Sequence, residues 1–275
     1  LHRLIRRQRQ MCIRDRIKKM TAAVETTDIP ARTLAMEIID IPARTLVIGF
    51  DEIRPSQRFL ELLVRLKPFG IVFFSRNLKK ASDIRINTKL FSSIDTELEF
   101  LIDQEGGEKC RIGDSPYCPP PPWRMRDWNA NDIYRVYRDS AEALAELGIT
   151  INLAPVADIG TGEYIRLRTF GENPSHVAER VTAALLGIRA GGLEPCVKHF
   201  PGLGSAHADP HKSLPVSDIN RDEFICNHWL PFKAAITAKC KYIMTTHIIA
   251  TELDRDNSAT YSSAVSYTHL TLPTN

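Results

Sequence analysis

Short apolar runs alternate with amphipathic stretches through the middle of the chain, between Thr45 and Thr246. Six runs have the length and the β-branched or aromatic content of buried strands: Leu46–Phe50, Gly70–Phe74, Leu98–Ile102, Ile149–Leu153, Pro195–Val197 and Tyr242–Thr246. Five helical stretches separate them, near Ser56–Leu66, Ser82–Ser92, Asp132–Leu147, Ser175–Ala190 and Arg221–Ala238. This alternation is typical of βαβ units and predicts an α/β protein with a parallel sheet.

Polar side chains follow the predicted strands, where parallel α/β proteins collect their chemistry. They are Asp103 and Glu105 after the third strand, Asp158 after the fourth, Lys198 and His199 after the fifth, and His247 after the sixth. Because consecutive units place these residues on one rim, the pattern favours a TIM-type (β/α)8 barrel over a doubly wound sheet. A dinucleotide-binding sheet is further disfavoured, since no G-x-G-x-x-G follows the first strand.

The composition is that of a globular protein, with 43% hydrophobic and 25% charged residues among 275. It excludes disordered, collagen-like and disulfide-stapled classes. The net charge of +3 belongs to one end, since residues 1–16 contain six Arg and one Asp and the remainder is net −2. No aromatic residue interleaves these arginines, which disfavours a nucleic-acid partner, and no run approaches the roughly 18 apolar residues of a membrane span.

Residues 1–16 are not followed by the apolar run of a secretory signal, so we expect a cytoplasmic protein. We expect the cysteines to be scattered reduced thiols, because they form no C-x-x-C pair and have no regular spacing. The six positions are Cys12, Cys110, Cys118, Cys196, Cys226 and Cys240.

Both ends of the chain differ from its middle. Residues 1–16 and 265–275 resemble translated sequencing-adapter sequence, and we expect both to be non-native tails. DIPARTL occurs at Asp28–Leu34 and again at Asp40–Leu46, which is too short a repeat for a solenoid. We therefore interpret residues 17–45 as a segment with a local duplication and residues 46–264 as the domain.

The stretch Val197–Pro215, VKHFPGLGSAHADPHKSLP, leaves the fifth strand through two glycines that permit a tight loop. Asp209 precedes His211 by two residues, with a φ-restricting proline between them. A carboxylate so placed orients the imidazole and raises its basicity, which suits proton transfer near neutral pH. The alternative for an isolated D-x-H is an ordinary solvated loop.

Five further motifs accompany this loop in a fixed order. They are FFSRN at Phe73–Asn77, LIDQEGG at Leu101–Gly107, INLAPVADI at Ile151–Ile159, RTFGE at Arg168–Glu172 and MTTH at Met244–His247. With KHFPG and the D-x-H, the set resembles the bacterial β-N-acetylglucosaminidases of glycoside hydrolase family 3, over about Leu46 to Tyr261. The resemblance implies a cytoplasmic, cofactor-free enzyme that removes terminal β-linked N-acetylglucosamine by retaining catalysis. Its partners would be small carbohydrates of the muropeptide type, in peptidoglycan recycling.

The same resemblance assigns roles to particular residues. His211 would be the general acid/base with Asp209 as its partner, a departure from the two-carboxylate template. Asp103 would accept hydrogen bonds from sugar hydroxyls. Four further residues would bind the sugar and hold Asp103 ionised, namely Arg111, Arg168, Lys198 and His199. The alternative for Asp103, Arg168 and Lys198 is a buried ion-pair network that stabilises the barrel mouth.

Some positions depart from the family pattern. Glu108 stands where the family usually has Arg, and GLGSAHADPH replaces the usual GHGDT before D-S-H. In the family that the chain resembles, the nucleophilic Asp lies in a D-D-L-x-M-like segment after strand seven. In this sequence, no such segment follows Ala259–Ala264. We therefore expect a barrel truncated after about six βα units, which is poorly soluble and hydrolytically inactive as the 275-residue chain.

Three rival functions stay open at this stage. A metal-dependent hydrolase would use alternating ligands of the kind zinc accepts, although a first-strand H-x-H is lacking; its candidate ligands are His199, His207, Asp209, His211 and His247. A family 3 phosphorylase would share the His–Asp dyad, with phosphate in place of water. A non-enzymatic protein would bind sugar without turnover. The favoured interpretation requires no metal.

Overall fold

The computed structural model describes residues 43–162, 164–206 and 214–265. Their main strands are β1 (Val47–Ile48), β2 (Gly70–Phe73), β3 (Glu99–Ile102), β4 (Ile151–Asn152), β5 (Glu194–Phe200) and β7 (Tyr242–Thr245). A separate parallel pair consists of β6 (Val216–Ser217) and β8 (Ile249–Ala250). The six predicted strands are confirmed, whereas β6 and β8 were not predicted, because two residues are too few for a hydrophobic period.

The helices occupy the predicted stretches. They are α1 (Gln57–Leu66), α2 (Ala81–Ile94), α3 (Ala130–Ala145), α4 (Pro174–Ala190), α5 (Arg221–Glu223) and α6 (Leu230–Thr237). Side-chain N-caps explain several starts, since an oxygen of Ser56, Asn129 or Asn173 accepts a hydrogen bond from a first-turn N–H. No helix in these described ranges is long and apolar enough to cross a membrane.

The prediction of one continuous fifth helix over Arg221–Ala238 is wrong. A π-helical segment, Phe224–His228, separates α5 from α6. In it the N–H of Trp229 donates to the carbonyl of Phe224, five residues back, at 2.8 Å. Pro231, in the first turn of α6, has no N–H to continue the α-helical pattern, which explains the interruption.

The chain forms two compact units, and the first comprises the described residues up to Leu101. Its strand order is β1–β2–β3, with β1 and β2 parallel in the register Val47 to Gly70. A Cβ at Gly70 would lie 2.4 Å from the carbonyl oxygen of Glu99, so glycine permits this close approach of strands. An aromatic cluster fills the core, formed by Phe50, Phe59, Phe73, Phe91 and Phe100.

The second unit runs from Ile102 onwards, with the strand order β4–β5–β7. The N–H of Leu153, just after β4, donates to the carbonyl of Ile102 at 2.8 Å. Strands β5 and β7 are parallel, and their register shifts between Lys198 and Phe200, so that His199 is the bulged residue. Bulges redirect side chains at strand ends, and here the bulge lies among the polar residues singled out from the sequence.

One cysteine prediction is wrong. Cys110 and Cys118 form a disulfide, whereas all six thiols were expected to be reduced. The two residues meet because the loop after β3 folds back on itself, an approach that their spacing along the chain does not reveal. Cys196 and Cys240 are free and buried, and Cys226 is free and exposed.

Candidate functional site

A buried lysine links two carboxylates at the carboxyl ends of β3 and β5. Asp103 and Glu105 follow β3, and Lys198 lies near the end of β5. The Lys198 Nζ lies 2.6 Å from Asp103 Oδ1 and 2.5 Å from Glu105 Oε1. Lys198 is 2% exposed and Glu105 is 3% exposed, so the ammonium is screened from water and held by charge.

Two arginines complete this polar cluster, which we define as Asp103, Glu105, Arg111, Arg168 and Lys198. Arg168 binds Glu105 through two parallel contacts of 2.8 Å, from Nε to Oε2 and from Nη2 to Oε1. Arg111 Nη2 lies 2.8 Å from Asp103 Oδ2. Both oxygens of each carboxylate therefore contact cations, and the three cations exceed the two anions in charge.

His199 connects the cluster to the loop after β4. Its Nδ1 lies 2.7 Å from Asp158 Oδ2, and its Nε2 lies 3.3 Å from Nη2 of Arg168. A guanidinium only donates hydrogen bonds, so Nε2 is the acceptor and Nδ1 carries the proton. Asp158 is fully buried and also accepts from the N–H of Leu203 at 2.6 Å, which fixes the carboxylate that orients the ring.

The charges of the cluster follow from opposing effects on each pKa. Burial raises the pKa of Asp103 and of Glu105, but Lys198 together with Arg111 at Asp103 and with Arg168 at Glu105 outweighs it, and both pKa values are lowered. Burial also opposes the charge of Lys198, yet the two carboxylates raise its pKa. Burial lowers the pKa of His199 despite the nearby Asp158. At neutral pH the carboxylates and the lysine are therefore ionised and His199 is neutral.

The amide side chains of Gln104 and Asn152 hold the loop that carries Arg111, and the sequence did not single them out. Gln104 Oε1 accepts from the backbone N–H of Arg111 at 2.8 Å, and its Nε2 donates to the carbonyls of Ile112 and Tyr117. Asn152 exchanges two hydrogen bonds of 3.1 Å with the backbone of Gln104. Both amides are buried, so their hydrogen-bonding groups are satisfied inside the protein.

The predicted site residues divide into two groups. Asp103, Arg111, Arg168, Lys198 and His199 lie within contact distance of one another through the network described. The predicted acid/base pair, Asp209 and His211, lies outside the described residues, and so does His207.

Two of the five candidate ligands of the metal-dependent hydrolase, His199 and His247, lie among the described residues. Among residues 43–162, 164–206 and 214–265, no three His, Cys, Asp or Glu side chains are grouped so as to hold a metal ion. Three of its five candidate ligands lie elsewhere in the chain. Of the other two, His199 already binds the carboxylate of Asp158.

The family model described as "Glycosyl hydrolase family 3 N terminal domain" matches residues 15–270 of the chain. Beta-hexosaminidase A of Pseudoalteromonas piscicida is 32% identical over 217 residues, which are 70% of this chain and 35% of that protein. The beta-hexosaminidase of Xylella fastidiosa strain 9a5c is 29% identical over 197 residues, covering 66% of this chain and 56% of the relative. The chain thus spans about half of these curated relatives' length or less.

Two solved structures have a fold similar to that of this chain. NagZ from Neisseria gonorrhoeae, in complex with N-trifluoroacetyl-D-glucosamine, aligns with a TM-score of 0.76 and 25% identity. The alignment covers 82% of this chain and 69% of that one. A glycoside hydrolase family 3 beta-N-acetylglucosaminidase from a Paenibacillus species aligns with a TM-score of 0.76 and 28% identity, over 81% of this chain and 44% of the other. The predicted fold class, a TIM-type (β/α)8 barrel represented here by six strands of the described residues, is confirmed.

Proposed function

Because the chain belongs to glycosyl hydrolase family 3, we propose that it forms the sugar-binding barrel of an enzyme that removes terminal β-linked N-acetylglucosamine. The observation that carries this proposal is the Asp103 carboxylate, which Lys198 and Arg111 contact through separate oxygens. An ionised carboxylate only accepts hydrogen bonds, which suits it to neighbouring sugar hydroxyls. The relatives named beta-hexosaminidase, and the solved relative in complex with N-trifluoroacetyl-D-glucosamine, support this substrate class.

The polar cluster supplies donors as well as an acceptor. An ammonium has three N–H donors, and among the described residues Asp103 and Glu105 engage Lys198. A ligand oxygen would take the third. Arg111 is only about one-quarter exposed, and its guanidinium would donate to the same ligand while holding Asp103. The sugar would therefore bind through charge-assisted hydrogen bonds, which are stronger than neutral ones.

We assign the proton transfer to His211, with Asp209 as its orienting partner. The protonated imidazole would donate to the glycosidic oxygen as its bond to the anomeric carbon breaks, and the neutral ring would later remove a proton from water. His199 is unsuited to this task, because its Nδ1 proton is directed at Asp158 and its Nε2 faces Arg168. Lys198 and Arg168 keep the site cationic, which assists the departure of an alkoxide-like leaving group.

Retaining catalysis also requires a nucleophile, and these 275 residues contain no D-D-L-x-M-like motif. We predict that the 275-residue chain binds N-acetylglucosamine but releases no nitrophenol from 4-nitrophenyl N-acetyl-β-glucosaminide. Turnover that is lost in His211→Ala would contradict the prediction. Any turnover that does occur is measured with and without inorganic phosphate, since a phosphorylase would form a sugar phosphate and a hydrolase would not.

Calorimetric titration with N-acetylglucosamine and with glucose tests the substrate class. We expect N-acetylglucosamine to bind more tightly than glucose, and 1,6-anhydro-muropeptides to bind at least as tightly if the substrate comes from peptidoglycan in the cytoplasm. Equal affinity for N-acetylglucosamine and glucose, or binding of neither sugar, would contradict the proposed function.

A further inference from the structure

A covalent bridge encloses the loop that carries Arg111. The disulfide joins Cys110, the residue before Arg111, to Cys118 at the far end of the same loop. Arg111 in turn contacts Asp103, the carboxylate on which the proposed function depends. One end of the bridge is therefore the residue directly before a member of the polar cluster, so the bridge restrains the backbone from which the guanidinium extends.

The other restraints on this loop are concentrated at its two ends. Gln104 holds the backbone of Arg111, Ile112 and Tyr117 through its side chain. The residues between them, 113–116, are exposed. If the bridge were opened, the exposed middle would gain conformational freedom, and the loop would depend on noncovalent contacts such as the hydrogen bonds of Gln104, the hydrogen bond from Ser140 Oγ to the carbonyl of Tyr117 and the Arg111–Asp103 contact.

The bridge is the accessible part of the cysteine chemistry near the site. Cys110 and Cys118 are partly exposed, and exposed residues lie next to Cys110 at Lys109 and between the two cysteines at 113–116, so a small thiol can approach them. Cys196 and Cys240 are buried, and burial raises the pKa of both thiols, which keeps them in the unreactive protonated form. Cys196 and Cys240 are therefore poorly placed to exchange with the bridge, and a mild dithiol reductant acts on the bridge itself.

We propose that Cys110 and Cys118 form a redox modification site that controls the position of Arg111. In the oxidised form the bridge holds the guanidinium on Asp103, and in the reduced form the loop loosens. A reducing dithiol would supply the two electrons and two protons: one thiolate attacks a sulfur of the bridge to form a mixed disulfide, and the second thiol displaces it. The protein then holds two thiols and the reagent is oxidised to its own disulfide.

The consequence for ligand binding rests on the proposed function. If Asp103 and Arg111 bind N-acetylglucosamine, loss of one restrained, charge-assisted contact should weaken the affinity by about threefold to tenfold. The movement of the loop itself does not depend on that assumption.

The test compares oxidised and dithiothreitol-reduced protein in two measurements. Alkylation followed by intact-mass analysis, without reductant, should find Cys110 and Cys118 unlabelled, and reduction should expose both. Hydrogen-exchange mass spectrometry should then show faster exchange of the amides of Arg111 and Ile112 after reduction, and calorimetry should show the weaker binding of N-acetylglucosamine. The Cys110→Ser/Cys118→Ser variant should match the reduced protein with or without dithiothreitol. Cys226→Ser, which removes an exposed thiol elsewhere, should respond as the unaltered chain does.

Two results would overturn the proposal: alkylation of both cysteines in the untreated protein, or amide exchange at Arg111 and Ile112 that reduction leaves unchanged. Faster exchange in a chain that binds no sugar in either state would support the redox site and contradict the proposed function instead. The two failures are therefore distinguishable.

Discussion

Glu105 is the residue on which the buried cations converge, since it receives two contacts from Arg168 and one from Lys198. Glu105→Gln keeps the shape but removes the charge, leaving the buried Lys198 with one carboxylate. We expect the free energy of unfolding to fall by about 3 kcal/mol, because an uncompensated buried charge is costly. Urea denaturation measures the change, with the exposed Glu108→Gln as the control. A shift no larger than that of the control would contradict the assigned network.

The buried, neutral His199 should make the stability of the protein depend on pH. Burial lowers its pKa in the folded protein, so the unfolded chain binds the proton more readily below the ordinary value of 6.5. The free energy of unfolding should therefore fall as the pH is lowered from about 7 to 5, and less steeply in His199→Gln. His228, whose pKa burial also lowers, would account for a residual slope.

The control for this pH experiment is His176→Gln, on the exposed surface of α4. It should keep the slope of the unaltered protein. Identical slopes for His199→Gln and for the unaltered chain would refute the neutral, buried state of His199. The window is set by histidine, because the lowered pKa values of Asp103 and Glu105 affect stability only below about pH 4.5.

At the scale of single residues, the sequence singled out the members of the polar cluster but not their individual contacts. Asp103, Lys198 and His199 follow from strand-end positions, and Arg111 and Arg168 follow from the family resemblance. The sequence could not predict that Arg168 binds Glu105 rather than Asp103, because these two carboxylates follow the same strand only two residues apart. Gln104 and Asn152 bind backbone groups, and such contacts leave no periodic signature in a sequence.

The loops after β4 and β5 act as one element. Thr161 Oγ1 donates to the carbonyl of Gly204 at 2.7 Å, and the N–H of Leu203 reaches Asp158. A Cβ at Gly204 would lie 1.9 Å from the carbonyl oxygen of Ile159, so the two loops pack at a distance that only glycine permits.

Gly204→Ala should therefore separate the loops and lower the free energy of unfolding by about 2 kcal/mol, as overpacking does in other close contacts. Thermal or urea denaturation measures it. Gly113→Ala is the matched control, since a Cβ there meets no atom within 4 Å. If both variants have the same stability, the proposed loop contact is wrong.

The elements themselves were largely predictable. Hydrophobic periodicity located six strands and the main helices, because each helix buries one apolar face and each strand buries one face or its whole apolar run. It failed at the π-helical Phe224–His228, where Pro231 and the local hydrogen bonds override a continuous amphipathic pattern. The bulge at His199 is likewise a tertiary feature, set by the pairing of β5 with β7.

At the scale of the whole molecule, the family and the fold class follow from ordered motifs rather than from composition. The net charge of +3 does not indicate the charge of the candidate site. Residues 1–16 account for it, whereas the charges of the site belong to the polar cluster. The disulfide was not predictable, because two cysteines pair only if the fold brings them together. The predicted division at residues 46–264 stays a prediction.

We propose that the Asp103 carboxylate, held ionised by Lys198 and Arg111, binds the sugar. Calorimetric titration of N-acetylglucosamine into Asp103→Asn, with the exposed Asp114→Asn as control, tests this role. We expect an affinity at least about tenfold weaker for Asp103→Asn, the size of one lost charge-assisted hydrogen bond, and no change for Asp114→Asn. Equal affinities for the two variants, in chains that remain folded, would contradict it.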